Sequence, residues 1–238
     1  MSESDQKSPP NEDYPRLLSL AAHELRTPAS VVAGYIRMLQ RDDSPGLSEK
    51  QRHILAEAAR SCDRLVAIVN ELSDVGKLDS GIAGVSRERF DLFALVDEAV
   101  DAERPAPASG VEVAVGGSSA GAEVEGDRQK LRHALSTLVR AVLREQVADR
   151  VLVDRQLVVT GDGRSALVIV ASAPEAQRAP TAPRARLDEG RGGLGLALPI
   201  ARRIVERHGG EVWSPATDAG GAARGAILIR VPCSNPGR

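Results

Sequence analysis

The sequence predicts a two-part fold: an antiparallel helical hairpin, followed by a two-layer α+β sandwich. Two long helical patterns fill the first third of the chain, and strand-like alternation mixed with amphipathic helices begins near residue 90. The chain has 238 residues and is 42% hydrophobic, so it can bury a core. We expect a disordered N-terminus over 1–13, the hairpin over 14–85 and the sandwich over 86–238.

The first helical pattern, residues 14–41, contains an internal proline. Pro28 has no backbone N–H, and its ring clashes with the carbonyl of Glu24 four residues earlier. We therefore expect a bend there. The turn signal "RDDSPG" at 41–46 then ends the pattern.

The second helix begins near Ser48, a candidate N-cap. It carries a narrow apolar stripe at helical spacing, typical of a bundle seam. The stripe consists of Ile54, Ala58, Leu65, Ile68, Leu72, Val75 and Leu78. A lone hairpin would leave this stripe exposed, so we expect two chains to form a dimeric four-helix bundle.

The second part predicts helices on one face of a mixed sheet. The expected elements are a helix over 91–103, a strand over 110–117, a helix over 127–146, two strands over 155–172, a glycine-rich turn and helix over 192–210, and a closing hairpin of "EVWS" and "GAILIRV". The segment 173–190 is rich in Ala, Pro and Arg and predicts a mobile loop. We expect Arg178, Arg184, Arg186 and Arg191 to be solvated, and His208 to act as a cation at a helix end.

Charge and composition exclude several classes of protein. The net charge of −2 gives no bulk attraction to nucleic acid or to a membrane surface. Cys62 and Cys233 lie far apart without metal or redox spacing, which indicates a reduced, cytoplasmic protein. The polar N-terminus is not a signal peptide, and no run of residues approaches a membrane span or a metal motif.

Two motifs, "HELRTP" at 23–28 and "GGLGLALPIARRIVERHGG" at 192–210, make the chain resemble the bacterial sensor histidine kinase family. The resemblance covers nearly the whole chain. It implies a dimerisation and phosphotransfer hairpin followed by an ATP-binding sandwich of the histidine kinase type. Family members usually place a sensor or membrane helices before the hairpin, and we expect none here.

The first motif implies a phosphoacceptor site. His23 and Thr27 are four residues apart, so they share one helix face. Neutral imidazole is a nucleophile available near pH 7. By resemblance, His23 accepts the phosphoryl group, Glu24 hydrogen-bonds the ring and acts as acid and base, and Thr27 positions a water or a phosphoryl oxygen. A helix that bends at Pro28 would let the histidine meet different partners.

The nucleotide boxes depart from the family pattern. Where the family has "NLLxNAxK", Ala141 replaces the Mg²⁺ ligand and Arg144 replaces the lysine. An alanine methyl cannot ligate a cation that requires oxygen donors. After the strand "LVIVA", Ser172 stands where the family has the aspartate that contacts adenine.

One nucleotide box keeps its glycines. Gly193 and Gly195 could offer backbone N–H groups to a phosphate, with Arg144 as a weaker contact. By the same resemblance, the mobile loop predicted over 173–190 is either a shortened ATP lid or a simple flexible connection. No resident cofactor is expected, or else ATP with Mg²⁺ if the site functions after all.

Three functions follow as alternatives. The first is phosphotransfer on His23, loaded by another kinase or by a phosphorylated regulator, and passed to a response-regulator aspartate. The second is autophosphorylation from ATP through an unusual nucleotide site. The third is a non-catalytic pseudokinase module that docks a response regulator and modulates it. The expected partners are a second copy of the chain, a receiver domain and an upstream histidine kinase, with no nucleic acid and no membrane.

Overall fold

The computed structural model describes residues 13–41, 47–79, 87–105, 110–161 and 163–234. The predicted disorder over 1–13 and the predicted turn over 41–46 therefore fall almost entirely outside the described residues. The chain separates into two compact units, Met1–Gly84 and Val85–Arg238.

The first unit is a hairpin of two long helices, α1 (Asp13–Arg41) and α2 (Glu49–Asp79). Helix α1 continues through Pro28 as one element, so the proline does not divide it. The predicted cap of α2 is confirmed, since Ser48 Oγ accepts from the Gln51 N–H at 3.3 Å. The Gln51 amide oxygen accepts from the Ser48 N–H in return, at 2.8 Å, which completes a capping box.

Small side chains fill the contact between α1 and α2. Ala22, Ala33 and Cys62 are each at most 3% exposed. The Cys62 thiol donates to the Ala29 carbonyl at 3.3 Å, one residue after the proline. Small residues at these positions allow the two helix backbones to approach closely.

Many large apolar side chains of α1 and α2 remain exposed within the single chain. Their exposed fractions lie between 41% and 65%. They are Leu20, Leu25, Val31, Val32, Tyr35, Met38, Leu39, Ile54, Leu65 and Ile68. An apolar surface of this extent is typical of an interface, because monomers rarely leave one open to water.

The second unit contains four helices and eight strands among its described residues. In chain order these are β1 (Glu88–Asp91), α3 (Leu92–Glu103), β2 (Glu112–Gly117), β3 (Glu123–Gly126), α4 (Arg128–Glu145), β4 (Arg150–Thr160), β5 (Gly163–Ser172), α5 (Ala173–Ala176), β6 (Arg184–Arg186), α6 (Ala197–Arg207), β7 (Glu211–Pro215) and β8 (Ala226–Pro232). A 3-10 turn, Arg191–Gly193, precedes α6.

Six strands form a mixed sheet in the order β2-β4-β5-β8-β7-β6. The β2–β4 pair is parallel and the other pairs are antiparallel. Helices α3, α4 and α6 supply the apolar layer that buries one face of the sheet, with Leu92, Leu138 and Leu198 fully buried. The prediction of a sandwich with helices against a mixed sheet is confirmed.

Two parts of this unit differ from the sequence prediction. Strands β1 and β3 form a separate two-stranded sheet that was not predicted, because each has only four residues and too few alternations to show a period. The segment predicted as a mobile loop contains α5 and β6 instead. Ala179, between them, is 1% exposed and packs with Ile169 and Trp213, so apolar contact orders this segment.

Candidate functional site

His23 lies in the middle of α1 with its imidazole open to solvent. The side chain is 72% exposed, and its Nδ1 lies 3.3 Å from the Glu24 carboxylate. A carboxylate can only accept, so this contact requires the proton on Nδ1. The lone pair is then on Nε2, on the opposite side of the ring from the Nδ1 that contacts Glu24, and it is available to react.

Thr27 is exposed one helical turn after His23. The i, i+4 spacing places its hydroxyl on the same helix face as the imidazole. Pro28 follows directly, also exposed, and its missing N–H leaves the Glu24 carbonyl without its usual helical donor. The three predicted catalytic residues, His23, Glu24 and Thr27, therefore lie within one exposed turn.

The glycine turn of the second unit lies directly on α4. A β-carbon placed on Gly192 would lie 3.1 Å from the Ala141 carbonyl oxygen and 3.3 Å from its Cα. Ala141 itself is fully buried. Gly192 also has a φ of +67°, a conformation that favours glycine. The position that resembles the family's metal ligand is therefore an alanine covered by backbone.

The remaining predicted nucleotide contacts are at the surface. Gly193 and Gly195 are exposed with φ of +61° each, and Arg144 is exposed near the end of α4. A β-carbon at either glycine would meet no atom within 4 Å. The space beside both glycines is therefore open on the side where a side chain would stand.

Ser172, at the position that resembles the adenine-binding aspartate, is buried. It is 1% exposed, and its Oγ has no hydrogen-bond partner among the described residues. Gly225 approaches so closely that a β-carbon there would lie 2.8 Å from this oxygen. A purine could not reach the hydroxyl without displacing this backbone.

Arg191 overturns one sequence expectation. Arg178, Arg184 and Arg186 are exposed as predicted, but Arg191 is only 7% exposed. Its guanidinium pairs with Glu145, the last residue of α4, which the sequence reasoning did not single out. The available signal was an arginine at a position where the family often has glycine, and nothing in the sequence around Glu145 pointed to it as the partner.

His208 also differs from its prediction as a helix-end cation. Its Nε2 accepts the Asp127 N–H at 3.0 Å, and its Nδ1–H donates to the Ile204 carbonyl at 2.7 Å. Burial lowers the pKa of His208 from its ordinary value of 6.5, although the Ile204 hydrogen bond and the Asp127 charge oppose this. The ring is therefore a neutral link between α6 and the start of α4.

Within the described ranges, no His, Cys, Asp and Glu side chains are grouped so that three of them could bind a metal ion. None of the helices in the same ranges has both the length and the apolarity needed to cross a bilayer.

Comparison with known proteins identifies relatives for both units. Residues 16–81 match the family described as His Kinase A (phospho-acceptor) domain. The sensor protein GacS of Pseudomonas syringae pv. syringae is 27% identical over 221 residues, which cover 86% of this chain and 24% of GacS. The chain thus spans about a quarter of the length of such curated relatives.

Solved structures share the fold. ShkA, crystallised at full length in complex with AMPPNP, has a TM-score of 0.66 and 24% identity, over 93% of this chain and 46% of ShkA. The histidine kinase ThkA, in complex with the response regulator TrrA, has a TM-score of 0.56 and 16% identity, over 98% of this chain and 70% of ThkA. A hairpin followed by an α/β domain is therefore an arrangement found in histidine kinases.

Proposed function

Because the chain belongs to the bacterial sensor histidine kinase family, we propose that it works in two-component signalling as a phosphoryl carrier. His23 accepts a phosphoryl group and passes it to an aspartate of a response-regulator receiver domain. The observation that carries the proposal is the exposed imidazole of His23, held through Nδ1 by Glu24 within an intact phosphoacceptor motif.

The transfer step uses the free Nε2 of His23. Its lone pair attacks the phosphorus of an aspartyl phosphate, a P–N bond forms, and the P–O bond breaks so that the aspartate leaves as a carboxylate. The imidazole gains positive charge, which the Glu24 carboxylate stabilises through Nδ1–H. The Thr27 hydroxyl can donate to a phosphoryl oxygen from the same helix face. The reverse step returns the group to an aspartate.

We propose that ATP is not the donor that loads His23. Ala141 offers a buried methyl where Mg²⁺ needs oxygen, and Ser172 is covered by Gly225. Without a metal ion, phosphoryl transfer from ATP loses its main electrostatic stabilisation. The donor is then a phosphorylated regulator or another histidine kinase. The exposed glycines Gly193 and Gly195, and the nucleotide complex of ShkA, support autophosphorylation as the second candidate.

The proposed partners follow from the first unit. A second copy of the chain would cover the exposed apolar faces of α1 and α2, which matches the dimerisation role of such hairpins. A receiver domain would then approach the exposed His23 turn. The complex of ThkA with its response regulator supports a partner of this kind.

Phosphotransfer can be tested with receiver domains from the same genome, labelled by radioactive acetyl phosphate. At least one should transfer acid-labile label to the wild-type chain, and His23→Ala should abolish the transfer. His53→Ala is the matched control, because His53 is also exposed but lies on α2. Label that persists in His23→Ala would contradict the proposal.

Incubation with γ-labelled ATP and Mg²⁺ tests the second candidate, which predicts label on His23 without a regulator.

A further inference from the structure

The second unit contains a buried ion pair next to the glycine turn. The side chains of Arg191 and Glu145 are only 4% and 2% exposed. Arg191 Nε donates to Glu145 Oε1 at 2.9 Å, and Nη2 donates to Oε2. Two charged side chains buried to this extent are stable only when their remaining polar atoms also form hydrogen bonds.

The neighbouring strands supply those additional hydrogen bonds. Arg191 Nη1 donates to Ser214 Oγ at 2.7 Å and to the Ala226 carbonyl at 3.0 Å. The Glu145 carboxylate also accepts the N–H of Gly225. The pair therefore joins the glycine turn, the end of α4, β7 and β8 through one network of charge-assisted hydrogen bonds.

The network also fixes the space beside Ala141. Arg191 precedes Gly192, which packs on the backbone of Ala141, because a β-carbon at Gly192 would lie only 3.1 Å from the Ala141 carbonyl oxygen. A metal ion or phosphate placed between the two would have to lift the glycine turn. Lifting the turn would withdraw the guanidinium from the buried Glu145 carboxylate, leaving it only the Gly225 N–H and the exposed Arg224, whose Nε lies 4.0 Å away. Loss of the bidentate partner of a buried charge is strongly unfavourable. Admission of a ligand at Ala141 therefore requires the network to break.

We propose that the Arg191–Glu145 pair is an internal latch that holds the glycine turn on α4 and excludes a magnesium nucleotide from the second unit. The inference rests on the proposed function, because it names the residues that would remove ATP use. If the latch exists, replacing Ala141 and Ser172 by metal-binding and adenine-binding side chains is not enough to restore nucleotide binding. A bound nucleotide would also have to break the Arg191–Glu145 contacts.

The test compares two full-length variants for MgATP binding by calorimetry. The first, Ala141→Asn with Ser172→Asp, restores the two ligand types and keeps the latch. The second adds Arg191→Gly and Glu145→Leu, which removes both charges so that neither stays buried alone. Thermal unfolding shows that each variant is folded at the assay temperature. We expect the second to bind MgATP at least tenfold more tightly than the first.

Equal binding by the two variants, or no binding by either when both are folded, overturns the latch. If a variant does not fold, the latch can still be tested on the wild-type chain.

A buried, hydrogen-bonded Arg191 should give a slowly exchanging Nε–H signal in NMR spectra, and Arg191→Lys should remove it. Absence of that signal in the wild type also overturns the latch. The proposed function fails on a different result, the absence of label transfer between a regulator and His23.

Discussion

At the scale of single residues, the two halves of the predicted site have different environments. His23 is open to solvent and its Nδ1 contacts the Glu24 carboxylate, which favours the tautomer with the proton on Nδ1. Arg191 and Ser172 are buried, with 7% and 1% of their surface exposed. A short sequence motif can predict the first kind of site, because its parts are adjacent on one helix. It cannot predict the second, because Arg191 and Glu145 are 46 residues apart and meet only after folding.

His208 should make the second unit less stable in mild acid. Its pKa is lowered by burial, so the folded state prefers the neutral ring, and below pH 6.5 the unfolded chain binds more protons. The charges facing the ring are Asp127, which raises the pKa, and Lys130, which lowers it. The free energy of unfolding should therefore fall as the pH decreases from about 6.5, by at most about 1.4 kcal/mol per unit.

Urea unfolding followed by the fluorescence of Trp213, the single tryptophan, reports this unit. In His208→Gln, the difference in unfolding free energy between about pH 7.5 and about pH 5.5 should shrink relative to the wild type. His133→Gln is the control, because His133 is exposed on α4 and should leave the difference unchanged. An unchanged slope in His208→Gln would show that His208 does not cause the acid sensitivity.

At the scale of the elements, helix caps place the second unit's helices where the sequence predicts them. Asp127 Oδ1 accepts the Lys130 N–H at 3.0 Å at the start of α4. At the start of α3, the Asp91 side chain accepts the Phe93 N–H at 2.8 Å, and its other oxygen accepts the Gly121 N–H at 2.6 Å. Asp91 thus caps a helix and also holds the loop before β3.

Asp91→Ala should lower the free energy of unfolding of this unit by about 1–2 kcal/mol, because a cap and a further hydrogen bond are lost together. Asp91→Asn should retain much of the stability, since its amide oxygen can still accept. Asp149→Ala, at an exposed position, serves as the control with little expected change. Trp213 fluorescence in urea measures all three, and a loss in Asp149→Ala equal to that in Asp91→Ala would contradict the cap argument.

The order of elements could be predicted because each long element carries a clear period and a recognisable start. The spans of α3, α4, α6, β2, β5 and β8 differ from the predicted spans by a few residues at most. What could not be predicted depends on contacts between distant segments. β6 exists only through pairing with β7, where Arg186 lies opposite Trp213. A three-residue strand has no period of its own.

At the scale of the whole molecule, the exposed apolar faces of the hairpin predict self-association. Burying apolar area contributes about 25 cal/mol per Å², and ten large side chains on α1 and α2 are more than 40% exposed. A second hairpin presents the same faces, so a symmetric interface can cover both sets at once. The molar mass measured by light scattering should therefore be twice the chain mass of 25.2 kDa.

Charge placed on this apolar surface should separate the two copies. Val32 and Leu65 are 51% and 56% exposed in the single chain. The double variant Val32→Glu with Leu65→Glu should therefore keep the contacts between α1 and α2 within one hairpin. Buried in a dimer, each carboxylate would lack a partner, which is costly enough to shift the equilibrium to monomer. Val159→Glu tests charge alone, because Val159 is 84% exposed in the second unit. A double variant that stays at twice the chain mass would show that these two side chains do not form the interface.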